Sequence, residues 1–200
     1  MGRVLTFTAA ADTFNQGSSV DNLQVTLLML EGDDVVALDR NDDFGGGNVV
    51  DAGAGNDSVV NQAENGNQIV LGIGDDRYIG LGFGSFATDR ADVVRGGDGN
   101  DMFAVSTFKS RYFGDAGQDS FFSVGWQNTF IGGSGIDSIS YEPRDEDSTL
   151  GGSGVTVDLA AGLAQTGANR FETLQQIENV IGCSSADALF GNGVANRLTG

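Results

Sequence analysis

The chain has no histidine among its 200 residues, only one proline, one cysteine and one tryptophan, and 10 basic side chains against 28 acidic ones. Without histidine the commonest general base and the commonest zinc ligand are missing, and every Ser-His or Cys-His nucleophile goes with them. A lone Cys183 excludes an internal disulfide and reads as a small, part-buried side chain. The shortage of Lys and Arg leaves a formal charge of −18 and a pI near 4.1. Such a surface repels nucleic acid and anionic membranes, so cations are its natural partners. Long apolar runs are absent too: LQVTLLML, residues 23–30, is far too short for a membrane span. The start, MGRVLTFTAAAD, is broken by threonines and soon reaches Asp12, which does not read as a signal peptide.

Glycine, by contrast, is abundant: 32 residues, with no G-X-Y period, beside 13 phenylalanines that argue against simple disorder. The glycines gather in blocks, each closed by an acid: Asp34, Asp57, Asp76, Asp101, Asp119 and Asp137. The last three acids are 18 residues apart, and the earlier gaps are 23, 19 and 25. Nine residues before each acid after the first stand Asn48, Asn67, Asp92, Ser110 and Asn128, all suited to turns. Two residues beyond each of these eleven positions the side chain is apolar or aromatic: Val36, Val50, Val59, Ile69, Tyr78, Val94, Phe103, Tyr112, Phe121, Phe130 and Ile139. A unit of polar turn plus short strand with one fixed inward residue predicts an all-β, right-handed parallel β-roll or β-solenoid, with two strands per coil and two facing apolar ladders.

Insertions fall on one side of this register. From each Gly-rich acid to the next turn residue the spacing varies between 9 and 16, whereas the return is always nine. DRNDDFGGG (39–47) and GLGFGSFATDR (80–90) are therefore expected on a variable edge, and the Gly-Asp blocks on a constant one.

The blocks carry a family resemblance. Gly96-Gly97-Asp98-Gly99-Asn100-Asp101-Met102-Phe103 and Gly132-Gly133-Ser134-Gly135-Ile136-Asp137-Ser138-Ile139 match the G-G-x-G-x-D repeat with an apolar residue two positions on, and so the chain resembles hemolysin-type (RTX) calcium-binding proteins. The blocks ending in Asp57, Asp76 and Asp119 each depart at one position, Asp115 replacing a glycine in the last. The Asp34 block departs further, since Met29, Leu30 and Glu31 precede Gly32. Calcium takes six to eight hard oxygen ligands, which glycine loops supply as carbonyls and aspartates as charge. The expected metal residues are Asp34; Gly53, Gly55 and Asp57; Gly72, Gly74 and Asp76; Gly97, Gly99 and Asp101; Gly114, Gly117 and Asp119; and Gly133, Gly135 and Asp137. The resemblance implies calcium ions between stacked Gly-rich loops on one edge, each shared by two successive loops from Asp57 to Asp137, about four or five ions in all. The residues Asn48, Asn67, Ser110 and Asn128 read instead as stacked turn residues bonding neighbouring backbone.

Other motifs fail. Asp39-Arg40-Asn41-Asp42-Asp43-Phe44-Gly45 puts Phe where an EF-hand needs Gly. Gly80-Leu81-Gly82-Phe83-Gly84 lacks phosphate-loop spacing. Trp126, Phe121, Phe122 and Phe130 read mainly as core.

By register the chain divides into an N-terminal cap (1–30), calcium-binding β-roll repeats (31–141), an insertion with an irregular strand segment (142–176) and further degenerate, truncated repeats (177–200) without the glycines for strong calcium sites. In the last two an apolar beat resumes at Phe171, Val180, Leu189 and Leu198, with Asp187 and Asn196 in the polar slots. The stop at Leu198-Thr199-Gly200, where another loop would begin, is expected of a piece of a longer array. The expected function is a non-enzymatic, calcium-dependent structural module. The resemblance implies a secreted bacterial protein, exported by a type I system and folded by extracellular calcium. The alternatives are a polysaccharide lyase or epimerase, a protease fragment, or an adhesion module with a cell-surface or glycan partner at the variable edge.

Overall fold

A computed structural model of the chain describes residues 3–17, 24–38, 47–62, 66–81, 91–147, 150 and 152–200. Most of the two expected insertions, 39–47 and 80–90, lies outside the described residues, as does the whole EF-hand-like stretch 39–45. In chain order the strands are β1 (Arg3–Thr6), β2 (Thr13–Asn15), β3 (Val25–Leu28), β4 (Val35–Leu38), β5 (Val49–Ala54), β6 (Ser58–Asn61), β7 (Gln68–Ile73), β8 (Arg77–Gly80), β9 (Val93–Asp98), β10 (Met102–Val105), β11 (Arg111–Ala116), β12 (Ser120–Ser123), β13 (Thr129–Ser134), β14 (Ser138–Ser140), β15 (Thr156–Asp158), β16 (Leu163–Gly167), β17 (Arg170–Gln175), β18 (Asn179–Ile181), β19 (Ala188–Phe190) and β20 (Arg197–Thr199). Through β14 they alternate between two sheets, odd strands in one and even strands in the other, each pairing in parallel with the strand two places on. The result is a right-handed β-solenoid of about eight turns.

The eleven apolar ladder residues are all buried, none more than 1% exposed. Pairing in register puts Val50 on Ile69, Ile69 on Val94, Val94 on Tyr112 and Tyr112 on Phe130 in one sheet. In the other, Val36, Val59, Tyr78, Phe103, Phe121 and Ile139 stack the same way. Strand periodicity of two makes the ladder residue and the one two places on point inward together, so each coil has four inward positions. Their sizes compensate. Leu27, Met29, Val36 and Leu38 fill an early coil with medium side chains, whereas Tyr112 and Phe121 share theirs with Gly114 and Ser123. The aromatic half stacks along the axis, Phe103 on Phe121 at 4.9 Å and Tyr112 on Phe130 at 5.4 Å between ring centroids. Removing one such ring, as in Phe103→Ala, is expected to cost about 3–5 kcal/mol.

The segment expected as a cap already carries strands: β1 pairs with β3 and β2 with β4 in the same parallel register. After β14 a 3₁₀ turn, Glu142–Glu146, leads into a meander. There β17 joins β13, β16 runs antiparallel to β17, β15 runs antiparallel to β16, and β19 pairs with β15. Two strands are thus wedged into the odd sheet while the even sheet continues directly through β18 and β20. The expected beat at Phe171 is corrected here: Leu174 stacks on Phe130, and Phe171, an odd number of residues earlier, faces outward at 40% exposure. Val180 takes its expected place on Ile139, and Leu198 stacks on Val180 in the same register but is exposed.

Candidate metal centre

Each even strand from β4 to β14 is preceded by one of the Gly-block acids, and these acids stack into a single column. The backbone N–H of Asp34 donates to Asp57 Oδ1 at 2.7 Å, that of Asp57 to Asp76 at 2.7 Å, and that of Asp76 to Asp101 at 2.9 Å. Asp101 donates to Asp119 and Asp119 to Asp137, both at 2.8 Å. One carboxylate oxygen of every acid is therefore engaged by the coil before it. The other, Oδ2, is buried and has no hydrogen-bond partner in Asp34, Asp57, Asp76, Asp101, Asp119 or Asp137. Buried polar atoms are almost always paired, so six unpaired oxygens in a row are a demand for a proton or a cation.

The glycines shape what surrounds those oxygens. Gly53, Gly72, Gly97 and Gly133 share one column with Asp115. Gly55, Gly74, Gly99, Gly117 and Gly135 form a second, each lying against the carbonyl of the one before. At Gly97 (φ 118°) and Gly99 (φ 138°) the backbone takes angles that an L side chain rarely adopts, and a Cβ at either would collide with the neighbouring coil's carbonyl. The Asp34 loop follows the same path with Gly32 (φ 115°) in the second column but with Leu30 in place of glycine in the first, held at φ 78°.

A further glycine position divides the column in two. A Cβ on Gly96 would run into Asp101 Oδ2 and the Gly114 carbonyl; on Gly114, into Asp119 Oδ2 and the Gly132 carbonyl; on Gly132, into Asp137 Oδ2 and the Gln176 carbonyl. Carboxylate and carbonyl oxygens of successive coils converge there on a space that a methyl group would fill. The equivalent positions beside Asp34, Asp57 and Asp76 are Met29, Ala52 and Leu71, whose side chains belong to the core. Among the described residues no three acidic or thiol side chains converge on one point. A cation on this edge would accordingly draw much of its shell from backbone carbonyls, which suits calcium and its six to eight oxygen ligands.

Burial is the main force on these acids. It pushes Asp57 and Asp101 up to about 7 and Asp76 and Asp137 up to about 6, with the ladder N–H groups opposing and neighbouring acids reinforcing the rise. Asp34 and Asp119 are raised for the same leading reason.

Two members of the column escape a search for glycine blocks. Asp12 N–H donates to Asp34 Oδ1 at 2.6 Å, and Asp137 N–H donates to Glu178 Oε2 at 2.8 Å. Both obey the simpler rule of an acid two residues before a ladder position, Phe14 and Val180. One residue outward runs a second, exposed ladder in which Asn56, Asp75, Asn100 and Gln118 N–H groups bond the side chains of Asp33, Asn56, Asp75 and Asn100 in turn. Asp115 lies outside the column of acids, its carboxylate paired with Arg95 at 2.9 Å. Asp187 is also outside, both its oxygens taken by the N–H groups of Val155 and Cys183.

The opposite edge repeats the geometry with amide and hydroxyl groups and a single acid, Asp92. Asn48 N–H donates to Asn67 Oδ1, Asn67 to Asp92, Asp92 to Ser110 Oγ and Ser110 to Asn128 Oδ1, at 2.7–3.1 Å. The column ends on buried Glu172, which accepts from Asn128 Nδ2 and Ser123 Oγ. No helix among the described residues is long and apolar enough to cross a membrane. The chain matches no protein-family model and no curated relative.

Proposed function

We propose that this chain is a calcium-binding structural module whose fold depends on cations held along the acidic edge. The observation that carries the reading is the row of six buried, unpaired Oδ2 atoms beside glycine carbonyls. Asp101, Asp119 and Asp137, with the carbonyls of Gly114, Gly132 and Gln176, offer the open oxygen clusters; Asp57 and Asp76 contribute charge to the same edge. Bound calcium would supply the positive charge that lets these carboxylates stay ionised at close spacing. Without it, acids stacked at a strand spacing of about 4.8 Å repel one another in poorly screened surroundings, so metal binding is folding free energy. The resemblance to hemolysin-type repeats supports the further proposal that the parent protein is secreted and folds outside the cell, where modules of this kind bind calcium at about 10⁻⁴ to 10⁻³ M.

Far-ultraviolet circular dichroism during a calcium titration tests the reading. The chelated chain is expected to lose most of its strand signal and to regain it cooperatively on adding calcium. Identical spectra and melting temperatures with and without calcium would rule the proposal out.

A further inference from the structure

Away from the acidic edge, a second set of buried polar atoms lacks partners. Arg144, in the 3₁₀ turn, is only 4% exposed and is the one buried cation among the described residues. Its Nη2 donates to the Thr166 carbonyl, but Nε and Nη1 have no hydrogen-bond partner, and neither has the buried hydroxyl of Thr166. Arg144, Thr166, Ser153 and Arg170 line one cavity of about 250 Å³. Arg170 is held there by its guanidinium stacking 4.2 Å over the Trp126 ring.

The nearby acids do not answer these donors. Asp145, next in sequence, accepts from Ser184 N–H and Oγ. Glu172 gives Oε1 to Ser123 and Asn128 and leaves Oε2 buried without a hydrogen-bond partner; its charge and that of Arg144 attract, but no salt bridge joins the two among the described residues. Burial pushes the Glu172 carboxyl up to about 7, with Ser123, Asn128, Tyr141 and the charge of Arg144 opposing the rise. A buried, unpaired guanidinium is strongly unfavourable unless an anionic acceptor completes it. Two arginines around one small cavity are the more notable in a chain of charge −18.

We propose that this cavity binds a small hydroxylated carboxylate, its carboxyl group accepting from Arg144 Nε and Nη1 with Arg170 at the rim, and its hydroxyls meeting Thr166 and Ser153. The volume limits the bound part to a single sugar-acid-sized unit, either a free acid or one residue of an acidic chain. The side-chain Nε–H resonance of Arg144 in the folded, calcium-supplemented chain is to be followed by NMR during titration with sodium glucuronate, a glucuronate oligomer, glucose and sodium sulfate. A saturable shift with glucuronate, at a dissociation constant near 1 mM or tighter, identifies a free acid; a shift with the oligomer alone identifies a chain residue. Arg144→Gln should weaken binding by at least about tenfold. Arg170→Gln, at the partly exposed rim, should weaken it measurably while lowering the melting temperature by no more than the loss of its stacking on Trp126 would. Absence of a saturable response to either glucuronate form, an equal response to glucose or to sulfate, or unchanged affinity in Arg170→Gln would overturn the proposal.

Discussion

On the acidic edge Asp101 accepts the Asp76 N–H at 2.9 Å and leaves its second oxygen buried without a donor. On the opposite edge Asp92 accepts the Asn67 N–H at 2.7 Å and gives its second oxygen to Asn61 Nδ2 at 2.7 Å. The two residues have the same side chain, the same place before a strand and the same ladder bond. What differs is the second oxygen. On one edge the chain answers both oxygens of its aspartate and the column stacks coils. On the other it leaves a row of acceptors that nothing in the chain satisfies, which is where a ligand has to be sought.

Exchanging the two chemistries should produce the largest effect. In Asn128→Asp the Nδ2 group that donates to the Thr107 carbonyl and to Glu172 becomes an oxygen facing acceptors. A loss of about 2–4 kcal/mol is expected in urea unfolding with calcium present; a neutral result would mean the two edges are interchangeable.

Asp119→Asn is the converse. It keeps the ladder acceptor for Asp101 N–H and removes only the charge of the free oxygen. It should stabilise the chelated chain yet raise the calcium midpoint by about tenfold, corresponding to about 1.4 kcal/mol. Asp119→Ala should raise that midpoint more than Asn128→Ala, and equal shifts would show that the edges have been wrongly distinguished.

Acidity offers a third comparison, now between the loaded and the chelated chain. Because burial raises the Asp57, Asp76, Asp101 and Asp137 values above the ordinary 3.8, the chelated fold binds more protons than the unfolded chain. Their contribution is fully present below pH 3.8 and is lost as pH rises through about 6 to 7. The strand signal of the chelated protein should therefore be greatest near pH 5 and fall toward about pH 8, while the melting temperature of calcium-loaded protein, in which protons compete with the metal, should show the opposite trend. A chelated protein that gains stability over that window would count against unpaired acids on this edge.

The smallest effect is expected at the first loop. Leu30→Gly relieves a left-handed residue in the column otherwise held mostly by glycine and should stabilise the fold by about 1 kcal/mol. Destabilisation on chemical unfolding would mean that Leu30 contributes packing that outweighs its strain.

Much of this molecule was legible in one dimension because a solenoid coil repeats the same local environment. An acid, amide or serine two residues before an apolar one marks a turn entering a strand, and that rule located both edges and all eleven ladder positions. It also holds at Asp12 and Glu178, which a search for glycines passes over because the loops before them lack the motif. Phe171 misled for a related reason: it lies near the expected interval, but the meander resets the register, and period-two alternation then turns Leu174 inward instead. Antiparallel pairing of β15 and β16 against β17 joins residues whose spacing no repeat could have announced.

The sequence alone therefore determined the coil, its ladders and the side on which the acids gather, since these follow from strand periodicity and fixed spacing. Tertiary structure decided which oxygens remain unpaired, because that depends on donors from other coils. It supplied Asn61 to Asp92 and no donor to Asp101, and it brought Arg144 beside Thr166 and Arg170 across the meander, leaving donors there without a hydrogen-bond partner.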